Sequence, residues 1–356
     1  MSNLEDLGNV TRLSNQVVRV LGQNPGKFTL QGTNTYLVGS QNPYILVDAA
    51  QGIPEYIPVL ESALKDIAKP ANSSQPDISD IIISHWHTDH VDGLPSVLAL
   101  LQKLWESRNP ETPYSPPRLH KYPIADGLQG GHTLGHFSLP KILSSLLPGQ
   151  FTPSPNGGVI HDLSEGQIFK DHTGTTLLSV LHTPGHSVDS IALFVPQDRA
   201  LYTADTVLGH GTAVFENLTA YLLSLKRMRD FEVAEQRYDI LYPGHGPVVK
   251  NGRETITTYI QHRLDREKEI MGVIKTAVPD RLLADKVSAT PSDAWTTWNI
   301  VRLIYQKYPE NLWLPACRGV ELHLRKLQNE GMVVQGEGEG VDTQWKFSDT
   351  TAESNL

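Results

Sequence analysis

The sequence predicts an α/β fold with a small winged-helix-like subdomain at its carboxyl end, on three observations. Short apolar runs bounded by Gly, Asn and Pro recur as far as His245, the mark of strands and tight turns. Stretches with apolar residues at helical spacing lie between them. Beyond His245 the text becomes a charged helix, then two more helices and a hairpin.

At 356 residues the chain exceeds a usual single domain, so a large domain over 1–276 and a smaller one over 292–350 is the expected division. Tyr36-Leu37-Val38 and Tyr44-Ile45-Leu46-Val47 read as a hairpin. Ile53, Ile57, Leu60, Leu64 and Ile67 then mark a helix, with Pro54 tolerable in its first turn. Asp80-Ile81-Ile82-Ile83 is a buried-strand signal, and a helix follows Gly93 through Leu104. From Arg108 to Gly158 the chain is rich in Pro, Gly, Ser and His and reads as an insertion with one short helix over SLPKILSSLL. Strand signals resume at Thr175–Leu178, Ile191–Val195 and Ala200–Thr203. Arg253–Ile274 is the charged helix, and Trp298–Gln306, Leu314–Glu330 and the pair Val333-Val334 with Trp345-Lys346-Phe347 make the terminal subdomain.

Composition narrows the function classes. Acidic Glu5 and Asp6 stand where an export signal needs a basic start and an apolar run. No run of about 18 apolar residues occurs, so no membrane span is expected. The single cysteine, Cys317, makes neither an intrachain disulfide nor a thiolate cluster, which fits an intracellular, cytoplasmic setting. A net charge of -9 argues against broad binding to a phosphate backbone.

The chemistry is concentrated in the run His85-Trp86-His87-Thr88-Asp89-His90, directly after a strand. Side chains at a strand's carboxyl end can converge, and imidazoles with a carboxylate suit zinc, with manganese or iron accommodated by the same donors. Three later turns each deliver one more donor: Thr183-Pro184-Gly185-His186, Thr203-Ala204-Asp205 and Tyr242-Pro243-Gly244-His245. Lone His210 and His182 read as loop or substrate-wall residues, and Trp86 as packing. His120, His132, His136, His161 and His172 are expected to be solvated.

HxHxDH followed by His, Asp and His in that order resembles the metallo-β-lactamase superfamily. The resemblance implies an αββα sandwich holding two zinc ions: one on His85, His87 and His186, the other on Asp89, His90 and His245, with Asp205 bridging. Asp48 matches an early strand-end acidic position that supports the ligand loop. A hydroxide shared between the ions would be the nucleophile, oriented by Asp89 as the catalytic residue, and the reaction class would be hydrolysis. VVRVLGQNPGKFTLQGTNTYLVG, TPGHSVDSIAL, VLGHGTAVFENL and WNIVRLIYQKYPENL are similar to lactamase-like fungal thioesterases of the atrochrysone carboxyl carrier-protein type. They are also similar to lactamase-like endoribonucleases acting on single-stranded RNA. The expected partner is the acyl carrier protein of a polyketide synthase or a small thioester, with RNA as the alternative and a homo-oligomer open. A glyoxalase-type thioesterase fits less well, because the terminal subdomain is not its usual companion. In that subdomain, Arg318, Arg325 and Lys326 raise nucleic-acid binding, against which a turn with Glu337, Glu339 and Asp342 favours a packing role.

Overall fold

Among the described residues, seven strands form a first sheet in sequence order: β1 (Val10–Arg12), β2 (Val17–Leu21), β3 (Asn34–Val38), β4 (Tyr44–Val47), β5 (Ile78–Ile83), β6 (Arg118–Lys121) and β7 (Ile160–Asp162). The computed structural model describes residues 4–68, 72–124, 138–232, 237–279, 282 and 294–348. Strands β1 to β4 pair antiparallel and β4 to β7 parallel. Parallel neighbours need crossover connections. These hold helices α1 (Tyr56–Ser62), α2 (Thr88–Val91), α3 (Leu94–Arg108) and α4 (Leu139–Ser145).

Side-chain alternation explains the layering. Val18 and Val20 of β2, with Ile81 and Ile83 of β5, join a cluster packed on α1 and α3. Val17 and Ile82, one residue out of phase, join another cluster with Leu178, Val180, Leu193 and Tyr202. Successive strand residues face opposite sides, so each central strand serves two cores. The second cluster belongs to a five-stranded sheet of β8 (Ile168–Lys170), β9 (Thr176–His182), β10 (Ile191–Val195), β11 (Ala200–Ala204) and β12 (Ile240–Pro243), ordered β12-β11-β10-β9-β8. On its far face Phe194 meets Phe231, just after α5 (Leu218–Arg229), with ring centroids 5.5 Å apart. Helix, sheet, sheet and helix are thus stacked.

The chain divides into two compact units, Met1–Phe215 with Leu223–Thr257 and Glu216–Leu222 with Thr258–Leu356. The second contains most of α6 (Gly252–Ile274), then β13 (Trp295–Thr296), α7 (Thr297–Ile304), α8 (Trp313–Asn329), β14 (Val333–Gln335) and β15 (Gln344–Phe347). Thr296 caps α7, accepting the amide of Asn299 at 3.1 Å. Buried Trp295, Ile300, Val320, Leu324 and Trp345 form its core.

Two expectations are corrected. The stretch 108–158 is more than an insertion, because β6 pairs with β5 and β7 inside the first sheet. His120 is not solvated: it is 5% exposed and bonds Asp80 at 2.7 Å. His161 is also half-buried, 3.0 Å from the carbonyl of Thr152, whereas His172 is exposed. His132 and His136 lie outside the described residues. Trp86 is buried at 1% exposure, as a packing residue should be.

Candidate metal centre

Strands β4 and β5 run parallel and end side by side, which brings Asp48 next to Ser84 and the histidine run. Asp48 sits at a φ of 62°, in the left-handed region. Such a conformation costs a non-glycine residue on the order of 1–3 kcal/mol and persists where surroundings over-determine it. Here Asp48 accepts the amide of Ser84 at 2.7 Å, the Ser84 hydroxyl at 2.8 Å, the Tyr202 hydroxyl at 2.5 Å and His90 Nδ1 at 2.7 Å. It therefore supports the histidine loop.

The seven candidate donors gather into two sets that share Asp205. One is His85, His87, His186 and Asp205, the other Asp89, His90, Asp205 and His245, and within each the donor atoms all lie within 4.8 Å of one another. In the first, His85 Nε2, His87 Nδ1 and His186 Nε2 are separated by 3.0, 3.0 and 3.2 Å. In the second, His245 Nε2 lies 3.1 Å from Asp89 Oδ2 and 3.2 Å from Asp205 Oδ2, and His90 Nε2 lies 3.3 Å from Asp89 Oδ2.

Hydrogen bonds on the outer sides of the rings decide what faces inward. A carbonyl only accepts, so His186 Nδ1–H donates to Val214 at 2.9 Å and His245 Nδ1–H to Gly32 at 3.3 Å. Their Nε2 atoms are thereby aimed at the centre, each able to offer a lone pair once it carries no proton. Lone pairs converging at about hydrogen-bond distance repel unless a cation or proton lies among them. His90 Nε2 also lies 3.4 Å from Asp205 Oδ1, and neither of these buried atoms makes a well-formed hydrogen bond. These residues fit divalent metal binding.

Ionisation follows the same division. Burial, reinforced by the neighbouring imidazoles, holds His85 well below its usual pKa, and His87 falls to about 3. Both rings are neutral, ligand-ready bases at pH 7. In the carboxylate-rich set, burial opposes charge, but the pairing outweighs it. Asp89 and Asp205 lie well below the usual carboxylate range, His90 lies well above the usual histidine value, and His245 rises to about 9.

Backbone conformation makes the convergence feasible at two glycines. Gly185 adopts a φ of 134° just before His186. A Cβ on Gly244 would lie 2.4 Å from Asp205 Oδ1, so the turn before His245 can pass the shared carboxylate only without a side chain.

A cavity of ≈ 230 Å³ adjoins His186 and Asp205, with walls that include Lys27, Phe28, Leu208, His210 and Val214. His210 thus stands in the wall, as expected of it, and outside the two donor sets. His182 instead stacks on Tyr122, with centroids 3.8 Å apart. Phe28 is 70% exposed and Val214 48% exposed, which leaves apolar surface open beside the donors.

The family model described as the metallo-beta-lactamase superfamily matches residues 28–245. The chain belongs to the metallo-β-lactamase superfamily. A beta-lactamase associated winged helix domain matches residues 296–345, over the second unit. A Drosophila melanogaster relative named beta-lactamase-like protein 2 homolog is 33% identical over 90% of this chain and 91% of its own. An atrochrysone carboxyl ACP thioesterase of Aspergillus chevalieri is 34% identical over 77% of this chain and 70% of its own. In structure the chain is similar to a beta-lactamase domain protein from Burkholderia ambifaria, at a TM-score of 0.65 and 18% identity, over 95% of this chain and 93% of that one. That likeness concerns the fold.

Sequence reasoning missed residues that act through others. Thr33 donates to Asp89 Oδ2 at 3.1 Å, and Tyr202 bonds Asp48. Thr33 lies within the stretch VVRVLGQNPGKFTLQGTNTYLVG, but nothing in that text marks it as a partner of Asp89, and Tyr202 stands outside the motifs.

Proposed function

We propose that this superfamily hydrolase cleaves acyl thioesters, releasing an acyl chain from the phosphopantetheine arm of an acyl carrier protein. The observation that carries the reading is the open apolar wall of Phe28 and Val214 beside two complete donor sets. Thioesterase-named relatives at 31–34% identity support it.

His85, His87 and His186 would hold one ion, Asp89, His90 and His245 the other, and Asp205 would serve both. Zinc suits these donors best. When bound, such ions acidify water and polarise a carbonyl. Asp89 is ionised, and the Thr33 hydroxyl bonded to its Oδ2 fixes its carboxylate toward His245. In that position it would orient the attacking water, whose proton the bound ions would make easy to lose. The leaving thiol has a pKa of about 8.5, so the thiolate departs without a strong general acid. An RNA alkoxide would need one. The acyl chain packs on Phe28 and Val214 and covers their exposed apolar surface.

On the second unit, Arg325 and Lys326 are engaged by Glu321 and Glu267 at 2.7 and 2.9 Å, and Arg318 lies 3.5 Å from Glu321. Cations neutralised within the protein contribute less to phosphate binding, which favours a packing role for this unit.

The test sets metal-loaded protein against an acyl-phosphopantetheine thioester and a fluorogenic single-stranded RNA, each with and without chelator. Chelator-sensitive thioester cleavage is expected, with most turnover lost in Asp89→Asn. RNA cleavage without thioester cleavage would overturn the reading.

A further inference from the structure

The turn that carries His186 is held by a buried ion pair outside both donor sets. Lys121, the last residue of β6, is 5% exposed, and Asp189 is fully buried. Lys121 Nζ donates to Asp189 Oδ2 and, at 3.2 Å, to the carbonyl of Tyr122. The other carboxylate oxygen of Asp189 accepts the Ser187 hydroxyl at 2.7 Å. Ser187 is also tied to Ser190 Oγ, through its amide at 3.1 Å and its hydroxyl at 2.6 Å. The residues just after His186 are thus closed around one carboxylate.

The placement of Lys121 gives the pair its significance. In the sheet Lys121 lies opposite Ile83, two residues before His85. The amide of Ile191 reaches the carbonyl of Ser84 at 3.1 Å. Tyr122 stacks on His182, whose Nε2 donates to the carbonyl of Val188 at 3.0 Å. The end of β6 therefore clamps the His186 turn against the strand end that supplies His85 and His87. The other donor set takes Asp89, His90 and His245 beside the shared Asp205, and among the described residues none of these four makes a hydrogen bond or ion pair with Lys121 or Asp189.

Burying an ion pair seldom adds net stability over apolar residues of the same size, because desolvation offsets the attraction. A local positional role accounts better for its presence. We propose that Lys121 and Asp189 are positioning residues that set His186 against His85 and His87, and so govern the ion affinity of that set alone. The proposal rests on reading the sets as ion sites.

The test is a cobalt(II) titration of metal-free protein, followed by visible absorption, with folding checked by far-ultraviolet circular dichroism. Wild type is expected to take two equivalents with distinct spectra, and His186→Ala identifies the spectrum of its own set. In Lys121→Met that same spectrum should require about 10–100-fold more cobalt, the usual effect of losing an outer support, while the other is unchanged. Unchanged affinity for both equivalents, or equal weakening of both, would overturn the proposal. Should the single change unfold the protein, Lys121→Met with Asp189→Asn leaves no buried charge unpaired and is read the same way. No cobalt uptake by wild type would instead remove the ion-site reading, and the proposal with it.

Discussion

Asp48 Oδ2 accepts the Nδ1–H of His90 at 2.7 Å, with both side chains fully buried. This contact fixes which nitrogen of His90 points at Asp89 and Asp205. A carboxylate behind a ligating imidazole orients the ring and raises its basicity. Asp48→Ala should therefore weaken metal binding by about 10–100-fold, measured by competition with a chromophoric chelator. It should also destabilise the protein by about 1–3 kcal/mol, because the Ser84 and Tyr202 donors lose a buried partner. Undiminished metal affinity would show that packing alone orients His90.

Proton release should accompany metal uptake. In the metal-free protein, Asp205 and Asp89 overcome burial to raise His245 to about 9, so its ring is protonated at pH 7. An ion must displace that proton before Nε2 can bind it. Affinity should rise with pH up to about 9 and level off above it, and calorimetry in buffers of differing ionisation enthalpy should detect proton release at pH 7. Uptake without proton release would mean that His245 is already neutral.

The same contacts explain what the sequence discloses. The seven candidate donors stand in short local runs at strand ends, and the apolar alternation of β2 and β5 marks strands that serve two cores. Strand β6 was hidden because its text, RLHK, is polar. His120 and Lys121 are buried only because Asp80 and Asp189, 40 and 68 residues away, receive them. Thr33 and Tyr202 gain their roles in the same way, from tertiary neighbours that local spacing cannot reveal.

Asp80 should dominate the acid limb of stability near β6. Burial opposes its charge, but His120 at 2.7 Å, Arg118 at 2.7 Å and Ser79 outweigh that and depress its pKa. A depressed carboxylate stabilises the fold above its unfolded value of about 3.9, and that contribution is lost as pH falls through the folded value. Asp80→Asn should cost about 1.5–3 kcal/mol at pH 7, the worth of hydrogen bonds to a charged group, and flatten the loss below pH 4, by urea unfolding across pH. A variant that keeps the wild-type acid slope would place that loss on other carboxylates.

Phe28 separates substrate binding from stability. At 70% exposure it contributes little to the core, so Phe28→Ala should leave stability within about 0.5 kcal/mol of wild type. If the acyl chain packs on this ring, removing it forfeits about 1–3 kcal/mol of apolar contact, or about 10–200-fold in kcat/KM for a long acyl thioester. A short acetyl thioester cannot reach the ring and should lose far less. The loss should fall mainly on KM, because the ring touches the chain and not the carbonyl under attack, so ground and transition states are weakened alike. Equal losses for long and short chains would place the acyl group elsewhere and make the exposed ring a surface for the carrier protein instead.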